Sequence, residues 1–417
     1  MTLSRFCFYD GFLDIAVPEK DLVRKMEVAV TPALEDVHES ALEAIRSPVE
    51  TVPMCESVGA GSRVLVVVPD KSRHTDVREV LRAVLEELRS AGVRSDDVTI
   101  IMALGTHRAM TADEIAEKIG EKPAREYRVV NHDYDDLASL VDLGKTSEGL
   151  PVEFNRLVRE HDYIISLGNI SAHPVAGYSG GAKGLLPGIS GKRSTDYLHW
   201  ESTRYHLFEV FGNPENPVRR EMERIVEEVG LDFIVNTTEN AEHRISGVFA
   251  GHYVEAHRAG LAFLRQTPLI AFPIEQPDVL IVGLGDDRPD FWGGAAGIYA
   301  AAAMLKEGGV LVLLAACPEG VAPEHSVVLD FSYAEWETVR NLVEDGRIAD
   351  KTGASHLVTI GKIISEKKME VMLVSKGISE SEAEKMGFHY FDDPQEAVDE
   401  AIRAAGAGAR LLAYQRI

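Results

Sequence analysis

The stretch Arg63-Val-Leu-Val-Val-Val-Pro69 constrains the fold of this chain more than any other. It is an unbroken run of β-branched and aliphatic residues. A strand with one wet face would alternate apolar with polar side chains. An unbroken run instead predicts a strand buried on both faces, as in a parallel sheet with helices on either side. The signature returns at Val98-Thr-Ile-Ile-Met-Ala-Leu104 and Asp162-Tyr-Ile-Ile-Ser-Leu167, and later over 278–283, 309–315, 370–374 and 409–413. Helical patterns fall between these runs. One covers about 77–90, and another is opened by the capping box Thr111-Ala-Asp-Glu114. A small-residue helix is expected near 294–306, and a helix with Pro at its start over 394–404. Strands alternating with helices predict an α/β fold.

A chain of 417 residues has room for two domains. Three prolines fall within 265–277, just before a fresh strand. The expected architecture is therefore two α/β domains with mostly parallel sheets and an active-site crevice between them. Residues 1–270 form the N-terminal catalytic and cofactor-binding domain, and 271–417 a C-terminal domain that closes over the site. The net charge of -24 excludes a nucleic-acid footprint, which needs a basic face. Any anionic ligand must meet a local cluster of positive groups. Cys7, Cys55 and Cys317 are far apart and form no C-x-x-C pair, so neither a disulfide framework nor a zinc knuckle is expected. Asp10 and Asp14 interrupt the start where a signal peptide is apolar, and no stretch reads as a membrane span. The expected location is cytoplasmic.

In an open parallel sheet, ligands collect beyond the carboxyl ends of the strands. The segments that follow the first three runs are Asp70-Lys-Ser-Arg-His-Thr-Asp76, Gly105-Thr-His-Arg-Ala-Met110 and Gly168-Asn-Ile-Ser-Ala-His173. They deliver Asp70 and Arg73, then His107, then His173. Surface loops are commonly polar, which accounts for any one of these segments. It accounts less well for two histidines at similar offsets from two different strands. Imidazole takes and returns a proton near neutral pH, and two of them from separate loops suit chemistry at both faces of one carbon. Arg73 either clamps a carboxylate in a bidentate fork or pairs on the surface with Asp70 or Asp76.

The third segment runs on as His173-Pro-Val-Ala-Gly-Tyr-Ser-Gly-Gly-Ala-Lys-Gly-Leu-Leu-Pro-Gly-Ile-Ser-Gly191. It is a glycine-rich loop around one lysine, Lys183, but not a phosphate loop of the Walker type. Ala182 precedes the lysine and Gly184 follows it, so the hydroxyl that would hold magnesium is missing. Sixteen residues further lies His199, in Thr195-Asp-Tyr-Leu-His-Trp200. Neutral imidazole suits nickel, zinc or copper. A core histidine beside Trp200 is the other reading, and spacing alone favours it.

Taken together, "DKSRH", "GTHRAMT", the glycine-rich lysine loop and His199 resemble the nickel-pincer-nucleotide lactate racemase family. The likeness runs through most of the chain, and the loop is its most specific part. It implies a racemase or epimerase of 2-hydroxy acids, an isomerase. The implied cofactor is a nickel-pincer nucleotide, a pyridinium-3,5-bisthiocarboxylic acid mononucleotide, covalently attached at Lys183 as a thioamide. His199 would then be the nickel ligand, and Ser179, Gly180, Gly181 and Gly188 would belong to the cofactor-binding loop. His107 and His173 would be the two acid/base residues, with Asp70 and Arg73 orienting them and the substrate. The resemblance also implies cofactor-maturation enzymes as partners. A homo-oligomer is open, and neither nucleic acid nor membrane is expected to bind.

Two positions and one region depart from the family's pattern. His74 and Ala109 stand where prolines are usual, and the region 286–298 lacks the Gln and Lys that lactate-type members direct at the substrate. Arg288 and Trp292 are the candidates to replace them. Small residues around them predict room for a 2-hydroxy acid larger or more polar than lactate. Two alternatives stand beside this reading. One is a nucleotide-dependent oxidoreductase; against it, Gly283-Leu-Gly285 runs into Asp286-Asp287, which would repel a pyrophosphate. The other is a non-catalytic nickel- or nucleotide-binding protein; against that, both His107 and His173 are present.

Overall fold

The structure is a computed structural model that describes residues 2–26, 31–72, 75–266, 272–286 and 288–414. The chain divides into two compact units, 28–270 and 1–27 together with 271–417. Its opening is a hairpin of β1 (Thr2–Phe8) and β2 (Gly11–Val17). Sequence places these residues with 28–270, but they pack in the other unit. Phe6, Phe8, Ile15 and Val17 share an apolar core with Val310, Val312 and Leu411. The alternation of the hairpin residues is too short to show which sheet they cover.

Unit 28–270 is built on β3 (Val64–Pro69), β4 (Val98–Ala103) and β5 (Arg128–Asn131), which run parallel. A separate small hairpin, β6 (Leu140–Lys145) and β7 (Pro151–Asn155), follows. Then come β8 (Tyr163–Asn169), a two-residue pair β9 (Ala172–His173) and β10 (Gly177–Tyr178), and finally β11 (Phe233–Glu239) and β12 (Ile245–Gly251). The order across the main sheet is β12-β11-β8-β3-β4-β5, with only β12 antiparallel.

The unbroken apolar runs behave as their composition requires. Along β3, Val64, Val66 and Val68 join one core, and Leu65 and Val67 join the other. Helices Val37–Arg46 and Arg78–Ser90 contribute to the first, and helix Pro217–Glu227 to the second. Burying a Val or Leu side chain contributes about 1.5–3 kcal/mol, so a strand buried on both sides anchors the unit. The capping box at Thr111 forms as expected, with Thr111 Oγ1 and Glu114 exchanging bonds across the first turn of helix Ala112–Ile119.

The other unit carries β13 (Val279–Gly283), β14 (Val310–Leu314), β15 (Glu370–Val374), β16 (His389–Phe391) and β17 (Leu411–Tyr414). Their order is β16-β15-β14-β13-β17, all parallel. Helix Pro394–Ala405 starts on its proline as expected, and the small-residue helix is shorter than expected, Ala296–Met304. The fold class is α/β with parallel-rich sheets. The three cysteines are free, and among the described residues no helix is long and apolar enough to cross a membrane.

Candidate active site

In the sheet of unit 28–270 the chain steps from β3 to β4 and β5 on one side, then returns to β8 and β11 on the other. The order of travel reverses between β3 and β8, the place where open α/β sheets bind ligands. Asp70 follows β3 directly. His107 lies just past β4, and His173 and Lys183 lie past β8. All come off the same edge of three adjacent parallel strands.

Asp70 is 4% exposed, and its two carboxylate oxygens meet different side chains. The Ser72 hydroxyl donates to its Oδ1 at 2.6 Å, and His107 Nδ1 lies 2.6 Å from its Oδ2. An ionised carboxylate only accepts, so Nδ1 of His107 carries the proton and the ring's lone pair sits on Nε2. His107 is a third exposed and is therefore set as a proton acceptor at an accessible atom. His173 is set the opposite way. The backbone N–H groups of Val175 and Ala176 point at its Nδ1, at 3.2 and 3.3 Å. Nδ1 is the acceptor there, so the neutral ring carries its proton on Nε2. Both bonds are long, and releasing each costs about 1 kcal/mol net.

The loop around Lys183 lies across these strand ends. Lys183 is half-buried in a single 3-10 turn, Gly181–Gly184. Gly105 N donates to Gly188 O at 3.0 Å, which fastens the loop to the turn before His107. At Gly184 a Cβ would run into Ser166 Oγ on β8, and at Gly188 into the Gly184 carbonyl. Gly180 has φ +75, and a Cβ there would stand 2.6 Å from Asn236 Oδ1. The sequence reading gives these glycines to a bound nucleotide. The space a side chain would take is instead filled by β11 at Gly180, by β8 at Gly184 and by the loop's own backbone at Gly188. Ser179 is also turned inward: its hydroxyl donates to Asn169 O at 2.8 Å and accepts from Ser171 N at 2.9 Å.

His199 is 8% exposed on helix Lys192–Ser202. Its Nδ1 lies 2.8 Å from Thr195 O. A carbonyl only accepts, so the lone pair is on Nε2. A ligating imidazole is held in this way by its other nitrogen, and so is a helical histidine bonded one turn back. Among the described residues no three His, Cys, Asp or Glu side chains converge as a metal site. Arg73 lies outside the described residues.

Close to His107, Arg108 and Lys71 both bind Glu114, at 2.8 and 2.9 Å. Arg108 first and Lys71 after it hold the Glu114 carboxyl well below the usual carboxylate range, against the opposing effect of burial. In its own unit, Trp292 stacks on His325 and on His356, each at 4.6 Å between ring centres. Arg288 lies along Gly293, where a Cβ would meet its Cδ at 3.0 Å. Ser72, Asn236, His257 and Arg219 hold the site residues or the loop, and the sequence did not single them out. Asn216-Pro217 marks a helix start, but nothing marks Arg219, in its first turn, as inward-facing.

Residues 8–206 match the family model described as the lactate racemase N-terminal domain. Over that stretch the chain is similar to lactate racemases. The matched stretch includes Asp70, His107, His173, Lys183 and His199, and leaves out Arg288 and Trp292. The lactate racemase of Thermoanaerobacterium thermosaccharolyticum is 29% identical over 289 residues, 69% of this chain and 66% of that protein. The lactate racemase of Lactiplantibacillus plantarum is 27% identical over 292 residues, 68% of this chain and 66% of that protein. The matched stretches thus span just under two thirds of those relatives. The structure of the lactate racemase apoprotein from T. thermosaccharolyticum superposes with a TM-score of 0.80 at 21% identity, covering 100% of this chain and 98% of that one. A crystal structure of a Thermotoga maritima protein gives 0.74 at 19% identity, covering 92% and 100%. These two likenesses establish the fold.

Proposed function

We propose that the protein is a racemase or epimerase of 2-hydroxy acids, acting on lactate or a related larger 2-hydroxy acid. The observation that carries this is the Asp70–His107 pair lying against the loop that holds Lys183 and begins at His173. One imidazole is set to accept a proton and the other to donate, from the strands on either side of β3. A reaction that exchanges the two faces of a hydroxyl-bearing carbon needs such a pair.

The residues fit the cofactor that the resemblance implies. A lysine sits half-buried on a loop pinned across the strand ends, and a buried histidine keeps its Nε2 lone pair. Lys183 is the attachment point for the nickel-pincer nucleotide, His199 gives one ligand to nickel, and the backbone around Ser179, Gly180, Gly181 and Gly188 forms the shelf. When bound, that group supplies a reversible acceptor for the C2 hydrogen with its electron pair. His107 accepts the hydroxyl proton at Nε2 while Asp70 holds the Nδ1 proton. His173 hydrogen-bonds the oxygen on the opposite face through Nε2–H, and it gives up that proton after its Nδ1 has taken one from solvent. Arg73, Arg288 and Trp292 are assigned to the substrate on the resemblance rather than on geometry. The enzymes that build and load the cofactor are the proposed partners.

Protein made alongside those enzymes should carry added mass on Lys183 and should abolish the optical rotation of at least one 2-hydroxy acid supplied as a single enantiomer. A loaded, nickel-containing protein that leaves every member of such a panel unchanged refutes the reading. His199→Ala should lose nickel while keeping the added mass on Lys183. Full nickel occupancy in that variant removes His199 as the ligand.

A further inference from the structure

Arg219 is 0% exposed and among the largest fully buried side chains of the described residues. It sits in the first turn of helix Pro217–Glu227, its own N–H bonded to the N-cap Asn216 Oδ1 at 2.8 Å. Its side chain serves three alternate carbonyls of one segment. Nε donates to Ala176 O at 3.2 Å, Nη1 to Gly180 O at 3.1 Å, and Nη2 to Tyr178 O. Burial lowers its pKa to about 10, so it keeps its charge at neutral pH. No carboxylate hydrogen-bonds it among the described residues. Glu215 and Glu223 act on it only through space, and both pair directly with Arg258.

A buried charge without a bonded counter-ion is an expensive way to fill a core, and apolar side chains do it more cheaply. What a guanidinium does that an apolar chain cannot is fix several acceptors at once in a rigid planar fork. The segment it fixes, 176–180, is the link between His173 and Lys183. The same link is held from other sides. Asn216 Nδ2 reaches Ala176 O at 3.3 Å, His257 Nε2 lies 2.8 Å from Ser179 O, and Gly181 N donates to Asn236 Oδ1 at 2.7 Å. At Gly177 a Cβ would collide with Asn213 O and Asn216 Nδ2, so the link lies directly against the start of the Arg219 helix.

We propose that Arg219 is a positioning residue that sets the separation of His173 and Lys183 by clamping the carbonyls of Ala176, Tyr178 and Gly180. This rests on the roles given above to His173 and Lys183. The first test uses the apoprotein and Arg219→Lys, which keeps the charge and loses the fork. Hydrogen exchange of the 176–183 amides should quicken by about tenfold, the scale of one charge-assisted hydrogen bond. Exchange in β3 and β4 should stay as in the parent. In the loaded enzyme kcat should fall by about 10²-fold with KM little changed, as for a small misplacement of reacting groups. In Arg219→Ala, millimolar methylguanidinium should restore slow exchange in the loop, and methylammonium should not. Parent-like exchange in the loop of Arg219→Lys overturns the proposal. So does quickening spread evenly through the sheet, or an Arg219→Lys variant that cannot fold, since either assigns the residue to the core. If instead the parent itself racemises nothing, the reading of His173 and Lys183 fails, while the exchange result still reports on the clamp.

Discussion

Alanine at His107 is expected to slow the interconversion of enantiomers by about 10²–10⁴-fold, the range that a positioned acid or base contributes. His173→Ala should do the same. The two losses have one origin. A single base can open the reaction from one enantiomer but leaves no partner to complete it as the other. Neither change should unfold the protein, because both rings are only partly buried. Removing the His107 ring leaves Asp70 with its Ser72 bond, and removing the His173 ring leaves two N–H groups that water can serve. Chiral chromatography of the product mixture, with nickel content measured in parallel, checks this. Parent-like racemisation in either variant, with nickel retained, ends the two-base scheme.

Asp70→Asn should cost nearly as much, about 10²–10⁴-fold, although it exchanges one oxygen for a nitrogen of similar size. The carboxylate accepts from both Ser72 and His107. An amide that keeps its oxygen toward Ser72 turns its NH₂ toward Nδ1 of His107. That forces the proton onto Nε2 and removes the lone pair the reaction needs, the same tautomer trap known for the aspartate of serine-protease triads. Nitrogen-detected spectra of the imidazoles should show His107 protonated on Nδ1 in the parent and on Nε2 in Asp70→Asn, with His173 protonated on Nε2 in both. Unchanged tautomers together with an unchanged rate remove Asp70 from the mechanism.

The parallel strands were legible because burial on both faces leaves a residue like Val66 or Leu65 no polar alternative, and composition then reports topology directly. The placement of Asp70, His107 and His173 at one edge followed from that topology and from the rule for open sheets. The direction of each imidazole was not legible. Whether Nδ1 meets a carboxylate, as at His107, or two N–H groups, as at His173, depends on contacts between segments up to 37 residues apart and on a local turn. The glycines of the loop were read as space for a ligand, because sequence shows that a side chain is absent without showing what occupies its place. Arg219 escaped for a related reason: an arginine in a polar first helical turn looks like solvent-facing charge until the carbonyls beneath it are seen.

The hairpin at the start of the chain has a consequence for how the protein is made. Residues 1–27 and 271–417 complete one unit, so the other is an insertion within a discontinuous domain. A ribosome releases the inserted body whole, while the first hairpin waits, with Phe6 and Phe8 uncovered, for strands synthesised last. A fragment that stops at 270 therefore carries a sticky, orphaned end. Trimming it to begin at 28 should turn an aggregating product into a soluble one.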